Sequence, residues 1–324
     1  MYLLCFCFKC NLHLKKSSFG YSKLTINLIT KLMKKIFIGA AMMALFFSAP
    51  VLTEVQAQNR IEMPQPSPLS TVSQKIGLAE VTVTYSRPSM KDRKIFGDLV
   101  PYNKMWRTGA NASTKIKFSD DMLVEGQKVP AGEYALYTIP GQNEWTVVLH
   151  KNLKHWGDGG PDYNQAEDQL RVKVKPKKTP QPVETFTIDF ANLTTESAEM
   201  QLMWENVMVP VTLKNEVDSK VMAQIQEKVV KGTNVDPGLY YSAASYYYNN
   251  GKDAKQALEW VKKANEKDPK FYTLHMQAKI EAKTGDYKNA IKTAEKSMKM
   301  AKEANNPDYV ALNEKAIAEW KNKK

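Results

Sequence analysis

The sequence predicts a mainly β, antiparallel sandwich-like or barrel-like domain followed by an all-α domain of helical hairpins. Two patterns of apolar residues support this prediction. Over residues 69–215 apolar and polar side chains alternate, which is the period of a half-buried strand. From Val217 to Val229 apolar side chains recur every four residues, as on one face of a helix. The chain has 324 residues, 43% of them hydrophobic, which is enough for two separate cores.

The first part of the chain predicts export. Residues 33–57 begin with Lys34 and Lys35, continue into about a dozen mostly apolar residues, and place small side chains at Val55 and Ala57. This pattern is typical of a secretory signal peptide, and its apolar run is shorter than a bilayer-spanning helix. We therefore expect an exported protein, periplasmic or extracellular, with no stable membrane span after signal cleavage. A transmembrane anchor is the alternative.

Residues 1–32 precede this segment and are interpreted as an extension caused by a start site placed upstream of Met33. The three cysteines of the chain lie within the extension, at Cys5, Cys7 and Cys10. The alternative is a cysteine cluster that binds a metal. If the mature chain begins at Gln58, it contains no cysteine, which excludes disulfides and a thiolate nucleophile.

Residues 58–68 are polar, contain three prolines and are predicted to form an extended linker. The β domain is predicted for residues 69–215. Its main alternating rows are Val81-Val83-Tyr85, Ile116-Phe118, Trp145-Val147-Leu149, Phe186-Ile188-Phe190, Met200-Leu202-Trp204 and Val207-Val209-Val211-Leu213. Turn signals rich in Gly and Pro separate the rows, and no alternation of strands with helices is present, which disfavours a parallel nucleotide-binding sheet.

The remaining residues, 216–324, predict a helical domain with an internal repeat. A connecting helix is expected over 217–231, and a capping helix from Pro307 to about Trp320. Gly251 and Gly285 mark equivalent turns about 34 residues apart, a spacing that resembles the tetratricopeptide repeat. This resemblance implies stacked helical hairpins whose concave surface docks a protein or peptide partner.

Several motifs of the β region are distinctive. They are Ser86-Arg87-Pro88, RKIFGDLVPY at 93–102, WRTGAN at 106–111, PAGEYALYTIPG at 130–141 and Trp156-Gly157. With these motifs the chain resembles, over residues 85–215, a secreted family abundant in Bacteroidota and catalogued as domain of unknown function 2911. The resemblance implies an envelope or extracellular location. It implies no established activity, so no catalytic residue is assigned from it.

Charge and motif content disfavour a nucleic-acid partner and the common enzyme classes. The formal net charge is +12, but residues 1–57 hold seven lysines against one acid, and no block of five or six like charges occurs. The sequence contains no Gly-x-Ser-x-Gly elbow, no phosphate-binding glycine loop and no His-Glu-x-x-His zinc motif. We therefore predict no nucleic-acid partner, no catalytic residue and no cofactor.

One segment of the β domain combines groups suited to ligand binding. Trp106, Arg107 and Asn111 bring an aromatic ring, a guanidinium and an amide within six residues, which suits a sugar, a peptide or a carboxylate. The full set of candidate ligand-binding residues is Arg87, Arg93, Trp106, Arg107, Asn111 and Trp156. The two tryptophans also suggest a carbohydrate-binding module. The alternative is that Trp106 fills the core while Arg107 and Asn111 satisfy backbone groups.

His150, His155 and Asp158 form a second candidate set, chemically suited to Zn²⁺ binding or acid–base catalysis. Strand parity places His150 on the face opposite Trp145, and the spacing matches no metal motif. We therefore expect both histidines to be surface residues. The alternative function is a metal-dependent or acid–base hydrolase acting on envelope material.

Tyrosines are concentrated at the start of the helical domain, at residues 240–248. Tyr241, Tyr247 and Tyr248 are the candidate partner-binding residues, and core packing of at least half of the tyrosines is the alternative. The leading hypothesis is an exported, non-enzymatic binding or scaffold protein. Its helical repeats would hold a protein or peptide, and its β domain a glycan or a small ligand.

Overall fold

A computed structural model describes residues 63–323 of the chain. The predicted extension, the predicted signal peptide and residues 58–62 of the predicted linker lie outside the described residues. Within the described range, the predicted fold class is confirmed. An antiparallel β domain is followed by a region that contains only helices and their connections.

The larger of the two sheets has six antiparallel strands. They are β1 (Leu69–Ile76), β2 (Ala79–Ser86), β3 (Ala110–Phe118), β6 (Gly132–Ile139), β7 (Trp145–His150) and β8 (Asp168–Val174), hydrogen-bonded in that order. Because the alternating rows keep their parity in the ladder, Val81, Val83 and Tyr85 of β2 all point into the core, as predicted.

The smaller sheet has four strands. They are β4 (Met122–Val124), β5 (Gln127–Val129), β9 (Lys177–Ala191) and β10 (Ser197–Lys214), in the order β5-β4-β10-β9. The rows ending at Trp204 and beginning at Val207 belong to one strand, β10, whose register shifts on both sides of Glu205. Pro180 and Pro182 lie in β9, which is an edge strand and therefore tolerates residues that cannot donate to a ladder.

Five aromatic side chains fill the space between the two sheets. They are Phe96, Trp106, Trp145, Phe186 and Trp204, and the centroids of neighbouring rings lie 5.0 to 6.3 Å apart. Phe96 and Trp106 come from the long connection between β2 and β3, not from a strand. The connection is held by backbone hydrogen bonds in both directions between Trp106 and Thr138 of β6.

Six α-helices follow the β domain. They are α1 (Asp218–Ile225), which continues as a π-helical turn over Gln226–Val230, α2 (Pro237–Asn249), α3 (Ala254–Lys267), α4 (Phe271–Lys283), α5 (Tyr287–Glu303) and α6 (Pro307–Lys321). Consecutive helices pack as hairpins, with Gly251 in the turn before α3 and Gly285 in the turn before α5.

Local chemistry explains where these helices begin. The side chains of Asp236, Asp253, Asp286 and Asn306 accept hydrogen bonds from the first backbone amides of α2, α3, α5 and α6. Fully buried alanines such as Ala257 and Ala290 let neighbouring helices approach closely. The predicted connecting helix corresponds to α1 with its π turn, and it packs on the helical core through Ile225 and Val229.

The buried side chain of Asn215, which lies between β10 and α1 in the chain, ties together three parts of the β domain. Its Oδ1 accepts a hydrogen bond from the backbone of Leu78 (3.0 Å), and its Nδ2 donates to the carbonyl of Asp121 (2.9 Å). This amide therefore links the β1–β2 turn, the start of β4 and the end of β10. Between residues 63 and 323, no helix combines the length and the apolar character needed to cross a membrane.

Candidate functional site

The outer face of the six-stranded sheet carries a buried polar cluster around His150 and His155. The prediction that both histidines are surface residues is wrong, because their exposed fractions are 0% and 8%. Parity does place His150 on the face opposite Trp145, as predicted. That face is covered by the loop after β7, whose Leu153 and Tyr163 pack over Tyr137 and Val148.

Asp168 is the centre of this cluster. Its Oδ1 lies 2.8 Å from Nδ1 of His150 and 2.5 Å from the Tyr163 hydroxyl, and its Oδ2 accepts from Nε of Arg171 at 2.5 Å. Since the carboxylate is an acceptor, Nδ1 of His150 donates to it. Burial, aided by the hydrogen bond to Asp168, raises the pKa of Tyr163 to about 12.

The rings of His150, His155 and Tyr163 pack together as a triangle. The His150 centroid lies 4.7 Å from that of Tyr163 and 5.2 Å from that of His155, and the last two are 6.3 Å apart. The Nε2 atoms of both histidines are buried and have no hydrogen-bond partner in the described protein. His155 Nδ1 lies 3.4 Å from the Tyr137 hydroxyl. The cluster therefore anchors the loop after β7 to the sheet.

His150, His155 and Asp158 do not form a metal-binding group. Asp158 is exposed, and its Oδ1 accepts from the backbone of Gly160 at 3.1 Å. Over residues 63–323, no three His, Cys, Asp or Glu side chains are grouped so as to hold a metal ion. The structure therefore offers no support for the metal-dependent alternative within this range.

Trp106 belongs to the aromatic core, with 8% of its surface exposed. Its Nε1 donates to the carbonyl of Gly109 at 3.1 Å, and its ring stacks on Trp204 at 5.8 Å between centroids. A buried ring cannot stack on a sugar, so Trp106 and Trp156 do not form a two-tryptophan platform. Trp156 itself is 72% exposed on the loop after β7.

Three of the other candidate ligand-binding residues use their side chains for hydrogen bonds within the protein. Arg87 donates to the Phe186 carbonyl (3.1 Å) and to Thr187 Oγ1 (2.7 Å). Arg93 donates to the carbonyls of Met90 (2.8 Å) and Ser89 (2.7 Å). Asn111 donates to the Ser67 carbonyl (3.3 Å) and Ser86 Oγ (3.2 Å). The contacts of Arg87 and Arg93 tie the start of the β2–β3 connection to β9 and to its own turn, and those of Asn111 tie the start of β3 to β2 and to the segment before β1.

Arg107 differs from these three residues. It lines a pocket of about 200 Å³ together with Leu99, Pro101, Met105 and Asp158. Asp158 also lines the adjoining cleft, which includes Trp156. The fold therefore brings Arg107 close to the loop that carries Trp156. The backbone of Trp156 also pairs with Ala112, the neighbour of Asn111.

The helical domain contains a groove of about 470 Å³ that we call the lysine groove. Its charged and aromatic lining includes Tyr248, Lys279, Lys283, Lys315, Glu319 and Lys323. The Nζ atoms of Lys279 and Lys283 each lie 5.0 Å from the centroid of the Tyr248 ring. Glu319 is paired with Lys323 at 2.5 Å. Sequence reasoning missed these lysines, because they come from α4 and α6 and form no run in the chain.

The three candidate tyrosines are half-buried and differ in their surroundings. Tyr247 packs against Trp260 with 4.7 Å between ring centroids, which makes it part of the helical core. Tyr241 packs edge-on against Tyr272 at 5.5 Å and lines a cleft between the β domain and α2. Of the three, only Tyr248 lines the lysine groove.

Comparison with known proteins finds one family that matches the β domain. Residues 67–213 match the family described as "Protein of unknown function (DUF2911)". This match confirms the resemblance of the β domain to domain of unknown function 2911, and it ends before α1. No curated protein and no solved structure matches the chain.

Proposed function

We propose that the chain is an exported, non-enzymatic binding protein whose helical domain holds an acidic segment of a partner protein in the lysine groove. The observation that carries this proposal is the excess of positive charge around an aromatic ring. No carboxylate of the described residues lies within 4.0 Å of Nζ of Lys279, Lys283 or Lys315. The acid within the groove lining, Glu319, is occupied by Lys323.

Charge alone gives such a groove little affinity, because an exposed ion pair contributes only about 0–1 kcal/mol. Apolar surface is available beside the lysines. Leu312 is 47% exposed, and the rings of Tyr248 and Trp320 form part of the lining. The proposed partner segment therefore carries several Asp or Glu residues and one large apolar side chain.

Peptide binding measured by fluorescence anisotropy tests this proposal. A labelled acidic peptide containing one leucine is titrated with the protein at low and at moderate salt, against a peptide with Asn and Gln in place of the acids. Binding is expected for the acidic peptide alone. It should weaken with salt, because the Debye length falls to ~10 Å at 0.1 M salt and the charges of peptide and groove then attract each other less. Equal binding of both peptides, or binding of neither, overturns the proposal.

A charge-reversed pair locates the site. Lys279→Glu with Lys283→Glu should weaken binding by about tenfold or more, because the groove then repels the peptide. Lys292→Glu with Lys296→Glu is the matched control, since both residues are exposed, four apart and on α5 outside the groove lining. If both double variants lose the same affinity for the peptide, the effect of charge is nonspecific and the assignment of the site to the lysine groove is contradicted.

Export is the second part of the proposal, and it is supported by the three-part pattern of residues 33–57. Expression of the full chain, followed by cell fractionation and amino-terminal sequencing, tests it. The expected product is found outside the cytoplasm and begins at Gln58. Recovery of an uncleaved chain from the cytoplasm contradicts it.

A further inference from the structure

The pocket beside Arg107 carries two opposite charges that do not neutralise each other. Arg107, from the β2–β3 connection, lines one part of the wall and Asp158, from the loop after β7, lines another, and no ion pair within 4.0 Å joins them. The Arg107 side chain makes no hydrogen bond within residues 63–323, although the residue is half-buried. A guanidinium stays charged at every relevant pH, so partial burial without a partner is compensated when an anion binds.

The two walls are held in place by separate parts of the β domain. On one side Thr108 is fully buried, and its hydroxyl lies 3.0 Å from that of Thr138, while the carbonyl of Arg107 accepts from the backbone of Thr114. On the other side the His150 and His155 cluster anchors the loop that carries Asp158. A rigid pocket keeps the two charges apart and lowers the entropic cost of binding.

Gly157, which has no side chain, allows the loop after β7 to approach the Arg107 guanidinium closely. It has φ of +67°, and a Cβ atom placed there would lie 3.1 Å from Nη1 of Arg107. Any other residue at this position would therefore crowd the guanidinium and strain the loop.

The remaining wall is apolar. Leu99 is 45% exposed, and Pro101 and Met105 line the pocket beside it. A ligand that satisfies all three features has a carboxylate, a cationic amine and an aliphatic group. The volume of about 200 Å³ matches roughly seven water molecules of ~30 Å³ each, which suits a single small molecule.

We propose that this pocket binds a free α-amino acid with an aliphatic side chain. The carboxylate lies against Arg107, the ammonium group against Asp158, and the side chain against Leu99 and Met105. This site is on the β domain, so it is independent of the lysine groove and of any peptide bound there.

Isothermal titration of the full chain with leucine tests the proposal, with three analogues that each lack one feature. They are 4-methylpentanoate without the amine, 3-methylbutylamine without the carboxylate, and glycine without the side chain. Leucine is expected to bind with a dissociation constant of about 1 mM or below, and each analogue at least about tenfold more weakly. No binding of leucine overturns the proposal, and so does equal binding of 4-methylpentanoate, because the site would then not recognise the ammonium group of an amino acid.

Substitutions then place the ligand. Arg107→Gln and Asp158→Asn should each weaken leucine binding by about tenfold or more. Arg107→Lys keeps the charge but loses the two-pronged geometry of the guanidinium. Its affinity for leucine should therefore lie between those of wild type and Arg107→Gln. Arg93→Gln and Asp162→Asn are the controls and should bind like wild type. Far-ultraviolet circular dichroism checks that each variant is folded, and normal binding by a folded Arg107→Gln protein contradicts the assignment.

Discussion

Oδ1 of Asp168 lies 2.8 Å from Nδ1 of His150, and the two side chains are 7% and 0% exposed. One carboxylate thereby orients an imidazole, a phenol and a guanidinium on the outer face of the six-stranded sheet. Since these groups anchor the loop that forms one wall of the Arg107 pocket, the contact is expected to matter for both stability and ligand binding.

Replacement of the carboxylate tests this expectation. Asp168→Asn should lower the free energy of unfolding by about 2–3 kcal/mol, because charge-assisted hydrogen bonds to buried partners are lost. Urea denaturation measures it. Glu144→Gln is the control, since it removes the exposed partner of Lys173 and should cost no more than about 1 kcal/mol. Equal effects would mean that the cluster contributes no more than a surface pair.

The raised pKa of Tyr163 predicts a loss of stability in alkali. The phenol keeps its proton up to a pKa of about 12 in the folded protein, but loses it near its ordinary value of 10.0 when the chain unfolds. The contribution of Tyr163 is therefore fully present below pH 10 and is lost as the pH rises towards 12. Urea denaturation between pH 8 and pH 12 should give a shallower decline for Tyr163→Phe than for wild type. Identical declines would contradict the assignment.

Replacing Trp106 and replacing Trp156 by alanine should have very different effects on the free energy of unfolding. Trp106→Ala removes a ring from the aromatic core and should cost about 3–5 kcal/mol. Trp156→Ala alters a residue that is 72% exposed and should change stability by less than about 0.5 kcal/mol. Thermal or urea unfolding of the two variants makes the comparison. A loss for Trp156→Ala as large as that for Trp106→Ala would contradict the exposed position of this ring.

Gly77 lies in the β1–β2 turn, against the junction with α1. It has φ of +62°, and an added Cβ would lie 2.7 Å from Cγ1 of Val217 and 2.8 Å from Oδ1 of Asn215. Gly126 also has positive φ, +78°, but an added Cβ there meets nothing within 4 Å. Both alanine variants should lose about 1–2 kcal/mol through backbone strain, and Gly77→Ala a further 1–3 kcal/mol or so through the clash. If chemical denaturation shows that Gly126→Ala loses more stability than Gly77→Ala, this explanation is excluded.

Much of the fold was predictable from local patterns. The alternation of Val81, Val83 and Tyr85 indicated which side chains face the sandwich core, and the spacing of Gly251 and Gly285 indicated helical hairpins. The motifs from Arg87 to Trp156 were sufficient to identify the family that matches the β domain. The register shift at Glu205 was not predicted, because a bulge depends on the partner strand and leaves no periodic signal.

The candidate sites were less predictable. The order of strands and helices, the parity of His150 and the positions of the charged residues follow from the chain's residue pattern alone. That Trp106 lies in the core, that His150 is covered and that lysines of α4 and α6 share one groove follows from the packing of the folded chain. The reason is physical: periodicity reports how a side chain points from its own strand or helix, whereas burial and charge clustering depend on contacts between segments that are distant in the chain.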